Sequence, residues 1–532
     1  MIRLALSNVI ERLGSTTRRG IRPATMRESS LRSRIMPTPM PEELVLSLQH
    51  YPMEAGSPSN QLQPCVDEGE WVAKYQLLAK STGTHPMRLH APTSGTVVAI
   101  EDLPPPTGSQ RSQRAIRLRT DAEERALPLQ AVADYRALAP DRLVQLIEDA
   151  GICGMGGAGF PAATKIRHAV DKGAKTLIIN GVECEPYISC DEALIRERAN
   201  LAVQGAELLQ AACLADECII VIDNTMTTAR NALADELKGS SIELKVVPRR
   251  YPAGDERQLV KAITRREVPS NRHPIDIGIL VQNIATAVAC YEAIALARPC
   301  ISRIVTLTGN ALLTPKNFDA PIGTPVQHLL NLCGVNEEQH EFTIRGGPMM
   351  GQYLLDNATP IDKTTNCIIA TSAEEFPEQE REQACIRCSY CEQSCPAHLQ
   401  PQRLLASIRS EEWQETATLG LSDCIECGAC AVVCPSRIPL VSYYRAAKEF
   451  LGEERRTQQH SQHWQERFQY HQYRNKKNQE KQRPTTTAKT ATSVEPVFSR
   501  DKARMEISAA VERVRRRRQS RSKTDTTTQD ES

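Results

Sequence analysis

Aromatic residues are scarce in this chain of 532 residues, at 4%, so stacking platforms for nucleobases are not expected. A charge of one sign is missing too. The formal net charge is +1, and nothing in that balance suggests a nucleic-acid partner. No stretch approaches the roughly 18 consecutive apolar residues of a membrane span. Any membrane association is therefore expected to be peripheral, through a partner or a surface helix. The apolar start around Ile2 to Ile10 is too short and broken for the core of a secretory signal. With nothing that reads as secreted, disulfides are not expected either.

Cysteine, by contrast, is abundant, with 18 residues. Eight of them fall in two runs: C-I-R-C-S-Y-C-E-Q-S-C-P from Cys385 to Pro396, and C-I-E-C-G-A-C-A-V-V-C-P from Cys424 to Pro435. Each reads C-x2-C-x2-C-x3-C-P, the spacing of the bacterial two-cluster ferredoxins. A cubane needs four thiolates at tetrahedral corners. Three cysteines at x2 intervals wrap one loop around three irons, and the fourth, next to proline, serves the other cluster. That assigns Cys385, Cys388, Cys391 and Cys434 to one 4Fe–4S cluster, and Cys395, Cys424, Cys427 and Cys430 to a second. Structural zinc favours paired knuckles, often with histidine, and fits two runs of four poorly. The remaining cysteines, such as Cys213, Cys218 and Cys290, sit among apolar residues and read as reduced core residues, which points to a reducing compartment.

The length suggests about three or four domains, and the fold class expected is multidomain α/β. Residues 1–36 hold eight arginines against Glu11 and Glu28 and read as a disordered basic arm; an interfacial amphipathic helix and a transit peptide share this composition. Residues 37–130 read as β-rich. Val66–Ala79 and His90–Ile100 alternate around Gly and Pro and resemble the halves of a biotinyl/lipoyl-like hammerhead. The T-S-G tip lacks the lysine that would carry a cofactor, so a structural role is expected. Residues 131–300 alternate helical and apolar strand segments (Lys175–Asn180, Glu217–Asp223, Leu244–Val247, Ile275–Val281), the order of an α/β layer with a parallel sheet. Residues 301–355 suggest a β-grasp arrangement, 375–451 the ferredoxin unit and 452–532 a polar, basic tail. Within that tail Arg483–Pro496 reads as a linker and Ser499–Arg518 as an exposed helix.

Two loops carry the remaining chemistry. Gly151–Pro161 (G-I-C-G-M-G-G-A-G-F-P) has glycines that let backbone approach a phosphate, and a helix after Pro161 would point its N–H groups at an anion. It is not a G-x-G-x-x-G fingerprint, so an ordinary dinucleotide fold is not assigned. In I-I-N-G-V-E-C-E-P-Y (Ile178–Tyr187), Asn180, Glu183 and Glu185 stand at the carboxyl edge of a strand, where open α/β sheets bind ligands. Either glutamate taken alone reads equally well as a solvated loop residue.

These loops, followed by Y-P-A-G-D-E (Tyr251–Glu256) and V-Q-N-I-A-T (Val281–Thr286), resemble the flavin- and NADH-binding subunit of respiratory complex I. With a hammerhead before and two cubane motifs after, the chain from about Gly20 to Leu451 resembles the C subunits of Rnf/Rsx ion-translocating electron transport complexes. The resemblance implies FMN and NADH as further cofactors. It places Gly154, Gly156 and Lys165 near the flavin phosphate and Asn180, Glu183 and Asn283 on the flavin. It also implies that Phe160 stacks on the nucleotide, Glu185 lies near the nicotinamide, Glu256 belongs to a second acidic loop, and the β-grasp segment is similar to the soluble-ligand-binding (SLBB) type. There are departures. Met155 replaces an arginine, Tyr75 a hammerhead glycine, and G-G-I-H-P becomes R-G-I-R-P (Arg19–Pro23). The function implied is an NADH-linked redox subunit at the cytoplasmic face of a bacterial inner membrane, peripheral, with membrane-embedded and iron–sulfur subunits as partners. A cluster-only relay and a scaffold are the alternatives.

Overall fold

The computed structural model describes residues 19–481, apart from 50–60, 82, 105–111, 133 and 378–380, together with residue 508. The N-terminal half of the expected basic arm, the Arg483–Pro496 linker and nearly all of the Ser499–Arg518 helix lie outside the described residues.

Residues 19–36 correct the disordered-arm expectation. They pack on the α/β domain, and Arg27 is 3% exposed. Three buried or half-buried carboxylates, those of Glu183, Glu192 and Asp223, surround its guanidinium and hold the segment in place. The β-rich region is two small antiparallel sheets. One joins Glu43–Ser47, Gln113–Thr120, Gly95–Leu103 and Trp71–Val72; the other joins Gln63–Pro64, Leu77–Lys80 and Arg88–His90. Alternate residues Leu44, Leu46, Ile116 and Leu118 fill the space between. Tyr75 adopts φ 73°, a left-handed turn that glycine takes without steric cost. The T-S-G tip is buried, with Thr93 and Ser94 fully enclosed.

The α/β domain holds a four-stranded parallel sheet in the order Glu243–Val247, Glu217–Asp223, Thr176–Gly181, Ile279–Asn283. Three of its strands are the apolar runs of a covered sheet, whereas the edge strand Glu243–Val247 is mixed and largely uncovered. The fourth strand starts later than the Ile275–Val281 expectation. Pro274–Ile277 forms a 3-10 turn that Gly278 closes at φ 81°. The long helix Cys190–Cys213 is kinked at Arg198, whose guanidinium pairs with Asp319 at 2.9 Å.

The β-grasp sheet is larger than expected. Its order is Met36–Pro37, Lys316–Pro321, Ser302–Thr308, Cys367–Ser372, His340–Arg345, Gln352–Tyr353. The sheet also takes in Cys367–Ser372, a fully buried central strand that follows the segment 301–355. In the ferredoxin unit short helices follow each cysteine loop. The last helix, Leu440–Lys481, runs on through residues expected to be a plain polar tail. Residues 453–481 contain neither Gly nor Pro and are rich in helix-favouring Glu, Gln, Arg and Lys. Among the described residues, 454–481 belong to a separate unit.

Candidate flavin and iron–sulfur sites

The parallel sheet dictates where a ligand goes. In chain order its strands lie third, second, first, fourth, so the topology reverses between Thr176–Gly181 and Ile279–Asn283. Ligands bind beyond the carboxyl ends of strands at such a switch point. Asn283 ends its strand, Asn180 stands one residue before the end of its own, and the two are register partners. A cavity of about 920 Å³ opens there, and Gly154, Gly156, Phe160, Lys165, Asn180, Glu183, Glu185, Glu256 and Asn283 all line it.

The glycine loop leads into the helix Ala162–Asp171, whose N-terminal amides supply the positive end of a dipole. Gly157 has φ +111°, and a Cβ there would meet no atom within 4 Å; its backbone borders open space. Lys165 lies in the first turn of the helix. Its Nζ donates to Glu256 Oε1 at 2.8 Å and to the Val281 carbonyl at 2.7 Å. Two residues expected in different parts of the site thus form one ion pair. Asn180 Nδ2 donates to the Gly254 carbonyl at 2.9 Å, which ties the sheet edge to the Tyr251–Glu256 loop. Asn283 caps the helix Ile284–Ala295 through Oδ1, and its Nδ2 donates to Asp191 Oδ2 at 2.6 Å.

The two glutamates have different surroundings. Glu183 caps the Cys190–Cys213 helix, its oxygens accepting from Asp191 N at 2.6 Å and Glu192 N at 3.0 Å. Burial, then repulsion from Asp191, raises its carboxyl above the usual range, against the pull of Arg27 and the helix amides. Glu185 is half-buried and accepts from the amides of Met349 and Met350 at 3.1 and 3.0 Å. Burial pushes its carboxyl up to about 7, only partly countered by those amides. Gly347 is needed beside it, because a Cβ there would stand 2.3 Å from Glu185 Oε2.

The structure adds wall residues that the motifs did not single out. Gln282, 3% exposed, lines the cavity with its Nε2 unpartnered. A buried donor without an acceptor is costly, so this amide fits a polar ligand. Lys363 and Arg345 line the β-grasp side. Lys363 lay beyond the expected end of that domain, and Gln282 stood in the V-Q-N-I-A-T motif without being singled out. Met155 is 4% exposed. Its carbonyl accepts from Arg303, a cation arriving from another domain.

The cysteine loops repeat one backbone. Arg387 and Glu426 (φ 55° and 56°), Ser389 and Gly428 (60° and 78°), and His398 and Arg437 (57° and 55°) take left-handed conformations at matching positions. One small cavity is lined by Cys385, Cys388, Cys391 and Cys434, three thiols from the first run and the proline-linked thiol of the second. In the other set Cys395, Cys427 and Cys430 are buried and Cys424 half-buried. Burial raises Cys427 to about 12 and Cys391 to about 11, and raises Cys395, Cys424 and Cys430 as well. Loading metal must therefore displace protons. Two sets of four thiols at ferredoxin spacing fit two cubanes. Cys427 and Ile425 also line the large cavity, so the second cysteine set borders it directly.

Comparison with known proteins agrees in order along the chain. Residues 15–123 match the RnfC barrel sandwich hybrid domain, 147–292 the Nuo51 FMN-binding domain, 304–353 the SLBB domain and 384–438 the 4Fe–4S dicluster domain. The chain thus carries an FMN-binding domain and a 4Fe–4S dicluster domain. An NAD+-reducing NiFe hydrogenase, solved in its H2-reduced state, aligns at 19% identity and TM-score 0.43, covering 59% of this chain and 63% of that one. The C subunit of the ion-translocating oxidoreductase complex of Pseudomonas aeruginosa is 41% identical over 81% of this chain and 55% of its own length. Its Haemophilus influenzae counterpart is 35% identical over 83% of this chain and 67% of its own length. The chain thus spans little more than half of the first relative and two thirds of the second. It belongs to the family formed by the C subunits of ion-translocating oxidoreductase complexes.

Proposed function

We propose that the chain is the peripheral redox subunit of a membrane-bound complex that couples electron transfer between NADH and low-potential carriers to ion movement. FMN, when bound, supplies the chemistry that clusters lack: it accepts a hydride and gives up electrons singly. The protein's own groups bind and orient. The glycine loop and the start of the Ala162–Asp171 helix would hold the FMN phosphate. Asn180 and Asn283 bracket the switch point, and Gln282 offers a free amide donor. Phe160 provides a stacking face, and Glu185 a carboxyl that changes charge near neutral pH. The hammerhead and β-grasp walls, through Leu89, Met87 and Ile361 among others, keep water away from the reacting centre.

Cys427 lines the cavity, which supports Cys395, Cys424, Cys427 and Cys430 as the set whose cluster, when bound, would accept electrons first. In the other set Cys385 is exposed, as are Ile386 (67%) and Tyr390 (47%), which suits a cluster that would pass electrons on to a partner. The partners are membrane-embedded and iron–sulfur subunits at the cytoplasmic face of a bacterial inner membrane. Among the described residues no helix is long and apolar enough to cross a membrane, which fits attachment through partners.

The observation that carries this reading is a single cavity bounded by the glycine loop, the paired asparagines and Cys427. Anaerobic iron and flavin quantification, then NADH titration with EPR detection, tests it. About eight irons, four for each cubane, one flavin, and cluster signals that grow with NADH are expected. Cluster signals without flavin or NADH response would leave a cluster-only relay.

A further inference from the structure

Residues 19–21 connect the cavity loop to the cluster unit. Ile21 and Tyr251 exchange two backbone hydrogen bonds, each 2.9 Å. One residue earlier, Gly20 N donates to the carbonyl of Ser394 at 3.0 Å, next to the ligand Cys395. Arg19 Nη1 donates to the Glu392 carbonyl, also at 3.0 Å. Tyr251 is 1% exposed and lines the cavity. Its hydroxyl donates to the carbonyl of Cys427 at 2.6 Å. Met349, Ala429 and Val432 complete the apolar cluster around Tyr251 and Cys427. The strap lies against the loop with no room for a side chain. Gly20 has φ +102°, and a Cβ there would stand 2.4 Å from the Tyr251 carbonyl oxygen.

We propose that Gly20–Ile21 and Tyr251 form a clamp that fixes the second cluster loop against the flavin cavity and so sets the rate of electron transfer between them. The inference rests on the reading that FMN occupies that cavity. These are positioning residues, acting through the backbone of Cys427 and Ser394. The step they serve moves one electron from the reduced flavin, which loses it, to the adjacent cubane, which gains it; no bond between the two forms or breaks. NADH is the reductant. The clamp also gives the R-G-I-R-P start its role. Gly20 and Ile21 make the contacts, whereas Arg22 is exposed.

The test uses the full chain, loaded anaerobically, as wild type, Gly20→Ala and Tyr251→Phe. Two readouts are taken: amide hydrogen exchange across residues 19–23 and 421–434, and stopped-flow bleaching of flavin and cluster absorbance by NADH. Gly20→Ala is expected to raise exchange in both segments and slow cluster bleaching roughly tenfold or more, with flavin bleaching near the wild-type rate. Tyr251→Phe is expected to slow cluster bleaching with iron content intact. Unchanged cluster bleaching in both variants, or unchanged exchange in Gly20→Ala, overturns the clamp. If Gly20→Ala loses iron, Tyr251→Phe decides alone: slowed cluster bleaching supports the clamp and the wild-type rate overturns it. A wild type whose flavin NADH does not bleach refutes the functional reading instead, and the exchange readout still judges the clamp.

Discussion

Arg27 shows how much one cation can organise. Its guanidinium is almost wholly enclosed and lies within 3.9 Å of Glu183, 3.1 Å of Glu192 and 3.4 Å of Asp223. Removing one partner of a buried ionic group leaves uncompensated charge and costs about 3–5 kcal/mol. Arg27→Met should therefore lower unfolding stability by about that much in urea titration. Arg403→Ala, which breaks an exposed pair with Glu415, should cost about 0–1 kcal/mol. Equal losses would mean that Arg27 is not the anchor described. Glu185 yields a pH signature. Its folded carboxyl sits at about 7 against an ordinary 4.5, so between those values the folded state holds more protons than the unfolded one. The group's contribution to stability then falls as pH rises through that window. The stability of Glu185→Gln minus that of wild type should rise with pH from about 4.5 to about 7; a flat difference would place this carboxyl in the ordinary range. The sequence marked Glu185 through the E-C-E-P run. Arg27 was hidden among many arginines, because the carboxylates that hold it come from segments far along the chain, Glu183 and Asp223 standing 156 and 196 residues away.

At the scale of elements, helix packing competes with helix propensity at Gly205. It lies inside the Cys190–Cys213 helix, where alanine would ordinarily gain about 1 kcal/mol. Here a Cβ would stand 2.1 Å from the Ala287 carbonyl oxygen on the neighbouring helix. The clash should win, and Gly205→Ala should lose about 1–3 kcal/mol in thermal or chemical unfolding; a stabilised variant would contradict the close approach. Elements built from their own residues were legible. Glu217–Asp223 is a strand over the residues expected, since an apolar run in an α/β alternation has few other uses. Elements that depend on distant partners were not. Cys367–Ser372 is apolar, but its pairing neighbours lie at Ser302–Thr308 and His340–Arg345, and nothing local places it between them. The late start of Ile279–Asn283 belongs to Pro274 and Gly278, which make a turn where apolar pattern alone reads strand.

For the molecule as a whole, the cysteine spacing grouped Cys385, Cys388, Cys391 and Cys434 in advance, and these four line one small cavity, because cubane geometry constrains neighbouring residues directly. The cavity wall did not follow from motifs in the same way. It is assembled from the hammerhead, α/β, β-grasp and ferredoxin segments, and the share of each depends on packing between them. The outcome is a linear arrangement in which the cavity shares Cys427 with one cysteine set, and the other set opens to the surface through Cys385. That order is the central claim. Rapid freeze-quench EPR after mixing with NADH, on Cys388→Ala and Cys427→Ala proteins, tests it most directly. The account predicts that Cys388→Ala, left with the cluster beside the cavity, still shows fast reduction. Cys427→Ala, left with the outer cluster, should show little or none on that timescale. Fast reduction of the outer cluster in Cys427→Ala, with a silent inner cluster in Cys388→Ala, would contradict it.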